Sequence, residues 1–279
     1  ALIYVVESDV SAVFKEHCIN LLVEMEAKSS VPVLIKALGS ESPSVKVLAA
    51  QSIGKLGQKK DAKTLLSHLS KAKDTDFIAE LLLSLGRLGS KTAVSKLLSH
   101  IDHANSKVRG YAISALGELS ATEAVEPLIE RLNNPANDNR NLMIQALAKI
   151  GDERAVRPLL NLLEVARREA GIGVKGSYLG GTAIRALATL GEGSVVRLVL
   201  EEWEEEMEST LRLLGEAAQS QLEERLQHDR SPHIRALAAE GLGIVGSQSS
   251  LGSLITALND QDKRVRDACA WSLQQIYEA

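Results

Sequence analysis

Apolar residues recur along this chain in one short pattern that returns about every 30 residues, as in repeat proteins. The segment VKVLAAQSIGKLG begins at Val45, VRGYAISALGELS begins at Val108, and IRALAAEGLGIVG begins at Ile234. Each segment has a β-branched residue, a base, Ala or Leu at helical spacing, and then Leu before a closing Gly or Ser; we call this the repeat frame. Such self-similarity is typical of a solenoid, in which each unit is stable only against its neighbours.

The repeat frame predicts one helix of each unit, helix B, and the segment after each closing residue predicts another, helix A. Helix A reads as TEAVEPLIERL from Thr122 or DERAVRPLLNLL from Asp152, with an N-cap residue first and apolar residues at helical spacing. Each closing position suits a residue with the left-handed backbone conformation that often ends a helix. The closing positions are Gly57, Gly89, Ser120, Gly151, Gly191, Gly215 and Gly246. The pattern predicts an all-α fold, a right-handed α-α superhelix of about eight helical pairs.

The repeats predict one continuous solenoid over residues 1–279, with three irregular segments. Residues 1–29 are interpreted as a degenerate N-terminal cap, whose helix A is either missing or replaced by LIYVV. Residues 166–181 form a Gly-rich insertion. Residues 194–215 form an irregular acidic repeat, whose two helices are expected on either side of EEWEEEMEST. Because loops often carry function, we expect specialised contacts at the last two of these segments.

Composition restricts the class of protein and its compartment. Apolar residues make up 45% of the chain and aromatic residues 3%, so the core must consist of Ala, Leu, Ile and Val. Cys18 and Cys269 lie near opposite ends of the sequence, which argues against a structural disulfide and predicts a reducing, cytoplasmic location. No apolar run approaches the length of a membrane span, and a net charge of −4 disfavours nucleic-acid binding. We therefore expect neither a membrane nor a nucleic acid as partner.

Two motifs have chemical interpretations that their surroundings do not support. Gly171, Gly173 and Gly176 match GxGxxG, but a phosphate loop of this kind needs a preceding strand, which a helical array does not offer. His100 and His103 have HxxH spacing, but the sequence offers no third ligand near them. We expect no metal, no cofactor and no catalytic residue.

The repeat frame resembles HEAT repeats of the short type named for phycobilisome lyases. The matching residues of one unit are Val108, Arg109, Ala112, Ala115, Leu116 and Gly117, followed in helix A by Ala124, Val125, Pro127, Leu128 and Leu132. The resemblance covers most of residues 30–278 and implies a helical solenoid, but it leaves the function open. Families that share this array include bilin lyase subunits, iron–sulfur assembly accessories and deoxyhypusine hydroxylase. The last uses paired His-Glu dipeptides for iron, and this sequence contains no His-Glu dipeptide.

A base occupies the second position of the repeat frame in several units. These bases are Lys46, Arg109, Arg140, Arg235 and Arg266, and the acidic residues in turns before a frame are Asp102, Asp138, Asp229 and Asp262. Their proximity in sequence predicts that a base pairs with the acid of its own turn, giving a ladder of salt bridges and turn hydrogen bonds along the solenoid. The alternative is a basic stripe that binds nucleic acid.

The positions six and ten residues after the start of each frame vary freely, whereas their neighbours are almost uniformly apolar. B helices usually line the concave surface of a solenoid, so these positions form a candidate protein-binding stripe; a merely solvated face is the alternative. The stripe residues are Gln51, Lys55, Arg87, Ser114, Glu118, Gln145, Lys149, Arg185, Glu240 and Trp271. Trp271 is either an end cap or an interface anchor. Lys175 and Tyr178 of the insertion are further candidates, because Gly-hinged loops often make contacts.

The sequence thus predicts a non-catalytic protein-binding scaffold, an assembly or regulatory adaptor that uses the concave face of the B helices. Its partner is a protein of unspecified identity, and the chain is expected to be a monomer or a weak oligomer. The alternative is a bilin lyase or isomerase subunit like the family's namesake, with bases meeting propionates and aromatic rings stacking on a tetrapyrrole. Such a site needs clustered aromatic residues, whereas the two Trp, four Tyr and two Phe of this chain are widely spread.

Overall fold

The structure is a computed structural model in which every regular element of the described residues is an α-helix or a short 3-10 turn. The described residues are 2–8, 10–134, 136–170, 178–202 and 207–278. Contacts divide the chain into two compact units, Ala1–Ile150 (unit 1) and Gly151–Ala279 (unit 2). Within each unit, helices follow one another as A–B pairs, so the predicted all-α repeat architecture is confirmed.

In unit 1 each A helix is shorter than the B helix that follows it. The pairs are α1 (Leu2–Glu7) with α2 (Ala12–Glu24), α3 (Val31–Ala37) with α4 (Pro43–Leu56), α5 (Ala62–Leu69) with α6 (Thr75–Arg87), α7 (Val94–Leu98) with α8 (Ser106–Glu118), and α9 (Val125–Leu132) with α10 (Arg140–Ile150). The LIYVV segment is therefore helical and supplies the A helix that the sequence was expected to lack. It packs against α2 and α3, and its Val6 is buried.

In unit 2 the same order continues. The pairs are α11 (Val156–Ala170) with α12 (Tyr178–Thr189), α13 (Val196–Glu202) with α14 (Met207–Leu214), α15 (Glu216–His228) with α16 (Pro232–Val245), and α17 (Leu251–Ala257) with α18 (Lys263–Glu278). EEWEEEMEST was expected to join two helices, but its first two residues end α13 and its last four begin α14. Met207 and Thr210 are buried, which gives this segment the apolar side that a packed helix needs.

Most A helices begin with a 3-10 turn, and the cap differs from one repeat to the next. The predicted N-cap at Asp152 is confirmed, because its side chain accepts a hydrogen bond from Arg154 N at 3.0 Å. The predicted N-cap at Thr122 is wrong: Thr122 is already in the 3-10 turn Thr122–Ala124, and Ala121 precedes it without a side-chain bond.

The closing residues have positive φ in six of the seven predicted positions, including Gly89 at 68° and Ser120 at 46°. The other four are Gly151, Gly191, Gly215 and Gly246. Gly57 differs, with φ of −75° and an extended ψ. The next residues form a capping box, in which Gln58 N donates to Asp61 Oδ2 at 2.8 Å.

Neighbouring B helices approach closely because small residues face one another. A methyl group added at Gly86 of α6 would lie 2.7 Å from the Cα of Ala115 in α8, and one at Gly117 would lie 3.0 Å from the Cα of Ala146 in α10. Hydroxyl groups fit the same contacts, since Ser84 Oγ donates to Ala50 O at 2.8 Å across α6 and α4. The packed side of each B helix therefore accepts little change in volume.

Candidate functional site

The unit 1 part of the stripe lies on four B helices, α4, α6, α8 and α10, each of which packs against the next. Its exposed members are Lys55, Arg87, Glu118, Gln145 and Lys149, and its half-buried members are Gln51 and Ser114. Their chain neighbours Ser52 and Ala146 are buried. The stripe is thus an accessible surface in unit 1, and its role in binding stays a prediction.

The unit 2 part of the stripe lies on α12, α16 and α18. Arg185 is exposed, Glu240 is half-buried, and Trp271 keeps 46% of its surface exposed. Trp271 lies on the last described helix, where partial exposure is compatible with both an end cap and an interface anchor. The exposed fraction of the Trp271 ring leaves it available to a partner.

Ion pairs already engage part of the unit 1 stripe. Lys149 of α10 pairs with Glu118 of α8, and Arg87 Nη1 lies 3.5 Å from Glu80 Oε1. By contrast, the side chains of Lys55 and Gln145 form no hydrogen bond or ion pair with any residue that the structure describes. A partner can therefore bind Gln145 without breaking a contact among the described residues, whereas Lys55 also adds to the positive charge around Glu80.

Sequence reasoning missed three residues on the same surface, Glu80, Lys107 and Tyr111. Lys107 Nζ lies 2.5 Å from Asp76 Oδ1 and 5.9 Å from the centroid of the Tyr111 ring. Tyr111 stands three residues before Ser114 on α8, and residues three apart share a helix face. Glu80 and Tyr111 share one frame position, but that position holds Leu in several other units and Lys107 precedes its frame, so the sequence offered no signal for them.

Glu80 is a buried carboxyl group on this surface. Desolvation by burial raises its pKa, although Arg87, Lys107 and Lys55 act in the opposite direction. Its Oε1 atom has no hydrogen-bond partner within the described residues. The surrounding positive charges therefore supply the counter-charge that a buried carboxylate needs.

The frame bases do connect turns, but Arg109 does not pair with the acid that was expected. Arg109 Nη1 donates to two carbonyls of its own turn, and Nη2 donates to Asp138 Oδ1 in the following turn at 2.6 Å. Asp102, in the turn of Arg109 itself, pairs instead with Arg131 at 2.6 Å. Own-turn pairing is therefore wrong for Arg109, because backbone carbonyls occupy the near side of its guanidinium group.

The same arrangement recurs in unit 2. Arg235 Nε donates to Asp260 Oδ2 of the following turn at 2.8 Å, while its Nη1 donates to the carbonyl of Asp229 at 2.9 Å. The hydrogen bond from Arg235 holds the pKa of Asp260 below its usual value. Arg266 Nη1 donates to the carbonyl of Asp260 at 2.7 Å, and Arg140 Nε donates to that of Leu132 at 2.9 Å. These bases act as structural braces.

The histidine and cysteine candidates have structural contacts. His100 Nδ1 lies 2.8 Å from Lys96 O, and His103 Nδ1 accepts from Asn105 N at 3.1 Å. Both cysteines are buried and free, and burial raises the pKa of the Cys269 thiol to about 11. Over the described ranges, no group of three or more His, Cys, Asp or Glu residues is placed to hold a metal ion.

The remaining predictions concern the insertion and the membrane. Lys175 and the GxGxxG glycines lie outside the described residues; Tyr178 begins α12, but its side chain is also outside them. Among the helices that the structure describes, none combines the length and apolarity needed to cross a membrane.

Comparison with known families identifies the repeat. A family model described as HEAT repeats matches the chain in four segments, residues 1–86, 62–140, 94–171 and 219–279. These segments together cover well over half of the sequence. No curated protein matches the chain significantly.

Solved structures are similar to this chain at low identity. The complex of CpcE and CpcF of phycocyanin lyase from Nostoc sp. PCC7120 is 19% identical, with a TM-score of 0.50 over 89% of this chain and 94% of that chain. Human deoxyhypusine hydroxylase in complex with glycerol is 18% identical, with a TM-score of 0.38 over 92% and 99% of the two chains. An engineered protein is 17% identical, with a TM-score of 0.43 over 99% and 98%. At such identities, the first likeness shows the fold alone, and the two lower scores add nothing to it.

Proposed function

The chain belongs to the HEAT-repeat family, and from that premise we propose that it is a non-catalytic protein-binding scaffold whose partner contacts the stripe of the B helices. Repeat arrays of this kind present extended surfaces on which partners bind. The scaffold acts as an assembly or regulatory adaptor.

The observation that carries this proposal is the contrast in solvent exposure between adjacent positions of one helix. In α10, Gln145 is exposed while Ile144 and Ala146 on either side are buried. In α4, Lys55 is exposed between buried Gly54 and Leu56. The exposed residues are not needed for stacking, so their identities are free to suit a partner.

The test is affinity capture from a native lysate with the purified chain. The stripe variant carries Lys55→Glu and Gln145→Glu, and the matched control carries Lys63→Glu and Lys96→Glu, both exposed on A helices. We expect one protein to be captured by the wild type and the control variant and lost with the stripe variant. Circular dichroism and thermal melting check that all three proteins are folded. Capture that persists with the stripe variant, or that fails with the control, would remove the stripe as the contact surface.

The tetrapyrrole alternative has less support from the residues described. The Nostoc relative is a phycocyanin lyase, but the likeness to it shows the fold alone. Among the described residues, the exposed aromatic side chains are Tyr4 and Phe14 in unit 1 and Trp271 and Tyr277 in unit 2, and neither unit offers a larger exposed cluster. Adding a linear tetrapyrrole to the purified protein tests this alternative directly. A shifted visible absorption band that saturates at one equivalent would favour it over the scaffold.

A further inference from the structure

Arg109 in unit 1 and Arg235 in unit 2 each join two successive turns, and the turn of Lys46 in unit 1 lacks this brace. Arg109 Nη1 donates to His103 O at 2.9 Å and Ala104 O at 3.0 Å in its own turn. Its Nη2 reaches Asp138 at 2.6 Å and its Nε reaches Asn139 Oδ1 at 3.1 Å, both in the following turn. Arg235 reaches Asp260 of the following turn through two hydrogen bonds, at 2.8 and 2.9 Å. The guanidinium group thus fills the gap between consecutive turns.

Lys46 occupies the same frame position in α4, but its acceptors are missing. Phe77 begins the frame that follows Lys46, as Asn139 begins the frame that follows Arg109. Ala72 precedes the frame that follows Lys46 by the same number of residues by which Asp260 precedes the frame that follows Arg235. Asp76, the counterpart of Asp138, pairs with Lys107 at 2.5 Å. The ammonium group of Lys46 forms no hydrogen bond or ion pair in the described part of the chain.

A cavity of about 470 Å³ lies at this gap, between the turn after α3 and the turn after α5. Ala72 and Phe77, the two replacements, both line it, and Leu38 adds a further apolar wall. This volume is within the range of cavities that hold small molecules. The cavity therefore lies where a carboxylate and an amide stand in other repeats.

The charges around the cavity are mostly positive. Lys46, Lys71 and Lys73 line it, whereas Asp74 is the one acidic residue of the lining and already caps α6 by accepting from Phe77 N at 2.8 Å. Burial, together with the charges of Lys71 and Lys46, lowers the pKa of the lining residue His68. None of these three lysines has an ion-pair partner among the described residues, so their charges are available to an anion at the cavity.

We propose that this cavity binds a small organic acid, with its carboxylate at Lys46 in place of the missing acceptors and its apolar body against Phe77 and Leu38. The carboxylate supplies the charge that Asp260 supplies to Arg235, so the ligand completes the brace between the two turns. The site lies at the turns and not on the stripe, so it is independent of the proposed protein partner.

The test uses the full chain labelled with ¹⁵N and titrated with phenylacetate, hexanoate and the neutral analogue phenylacetamide at low ionic strength. Amide signals of Ala72 and Phe77 report binding, and the His68 ring proton reports its pKa. We expect saturable binding of at least one acid, a raised pKa of His68 in the complex, and at least about tenfold weaker binding of phenylacetamide, as expected when a charge-assisted contact is lost.

Three variants locate the site. Lys46→Met removes the ammonium group, and Ala72→Asp places a carboxylate of the chain itself where the ligand's carboxylate would lie. Each should weaken binding at least about tenfold, while Lys63→Met, an exposed lysine of α5 outside the cavity, should leave it within about twofold. The proposal is overturned if neither acid saturates, if phenylacetamide binds equally well, or if Lys46→Met and Ala72→Asp bind as the wild type does.

Discussion

The two sides of the B helices place opposite demands on their residues. On the packed side, Gly86, Ala115 and Ala146 leave so little space that an added methyl group at Gly86 would overlap the neighbouring backbone. On the exposed side, Gln145, Lys149 and other stripe residues have no such restriction. The packed side therefore fixes the stacking of repeats, and the exposed side can vary to suit a partner without loss of the fold.

The largest expected effect comes from placing a charge on each side of α10. Ala146 is 2% exposed, so Ala146→Asp buries a carboxylate between two helices and should lower the free energy of unfolding by at least about 3 kcal/mol. Gln145→Asp, one residue earlier on the exposed side, should change it by no more than about 0.5 kcal/mol. Urea denaturation followed by circular dichroism measures both. Similar losses for the two variants would contradict the distinction between the sides.

Arg109 and Lys46 share a frame position but differ in their hydrogen-bond partners, so comparing them tests whether those partners set the contribution of the base to stability. Arg109→Met removes charge-assisted bonds to two carbonyls and to Asp138, and should cost about 2 kcal/mol of unfolding free energy. Lys46→Met changes the same frame position where the described residues offer Lys46 no hydrogen bond or ion pair, and should cost no more than about 0.5 kcal/mol. The comparison requires the same denaturation experiment. Equal costs would show that the brace contributes nothing beyond packing.

Glycine substitution measures the close approach of the helices. Gly86→Ala forces α6 away from Ala115 and should cost about 1 kcal/mol, after the gain in helix propensity is taken into account. Gly252→Ala in α17 meets nothing within 4 Å and should stabilise the protein by up to about 1 kcal/mol. Thermal melting distinguishes these opposite signs. A stabilising Gly86→Ala would mean that the B helices separate easily.

The smallest expected effect is on the pH dependence of stability. Because Arg235 holds the folded-state pKa of Asp260 below its usual value, this pair contributes stability that is present above the unfolded pKa and is lost as pH falls through the folded pKa. Asp260→Asn should therefore be less stable than the wild type at pH 6, and the difference should shrink as pH falls below about 4. Denaturation curves at several pH values measure this difference. A difference that stays constant with pH would contradict the role of the ion pair.

The helices could be predicted because their information is local. The repeat frame places apolar residues at a period of 3.6, which identified α4, α8 and α16 without knowledge of their neighbours. Contacts between successive repeats could not be predicted in the same way. The pairing of Arg109 with Asp138 depends on how closely two turns approach, and Gly57 has a negative φ whereas the other closing residues have positive φ.

The candidate surface was predicted in part. Variable positions in the frame identified exposed residues such as Lys55 and Gln145, but their use in ion pairs, as between Glu118 and Lys149, depends on the distance between helices. The cavity beside Lys46 was missed because its signal is an absence, the replacement of two acceptors by Ala72 and Phe77. Such an absence becomes informative only when the turns are compared in space.

The most direct test of the account is site-specific photo-crosslinking in a native lysate. A benzophenone side chain is placed at Gln145 on the stripe or at Ser95, an exposed position of the A helix α7. The account predicts one discrete crosslinked protein from position 145 and none from position 95. Crosslinking from position 95 alone, or equally from both positions, would contradict the claim that the exposed side of the B helices is the binding surface.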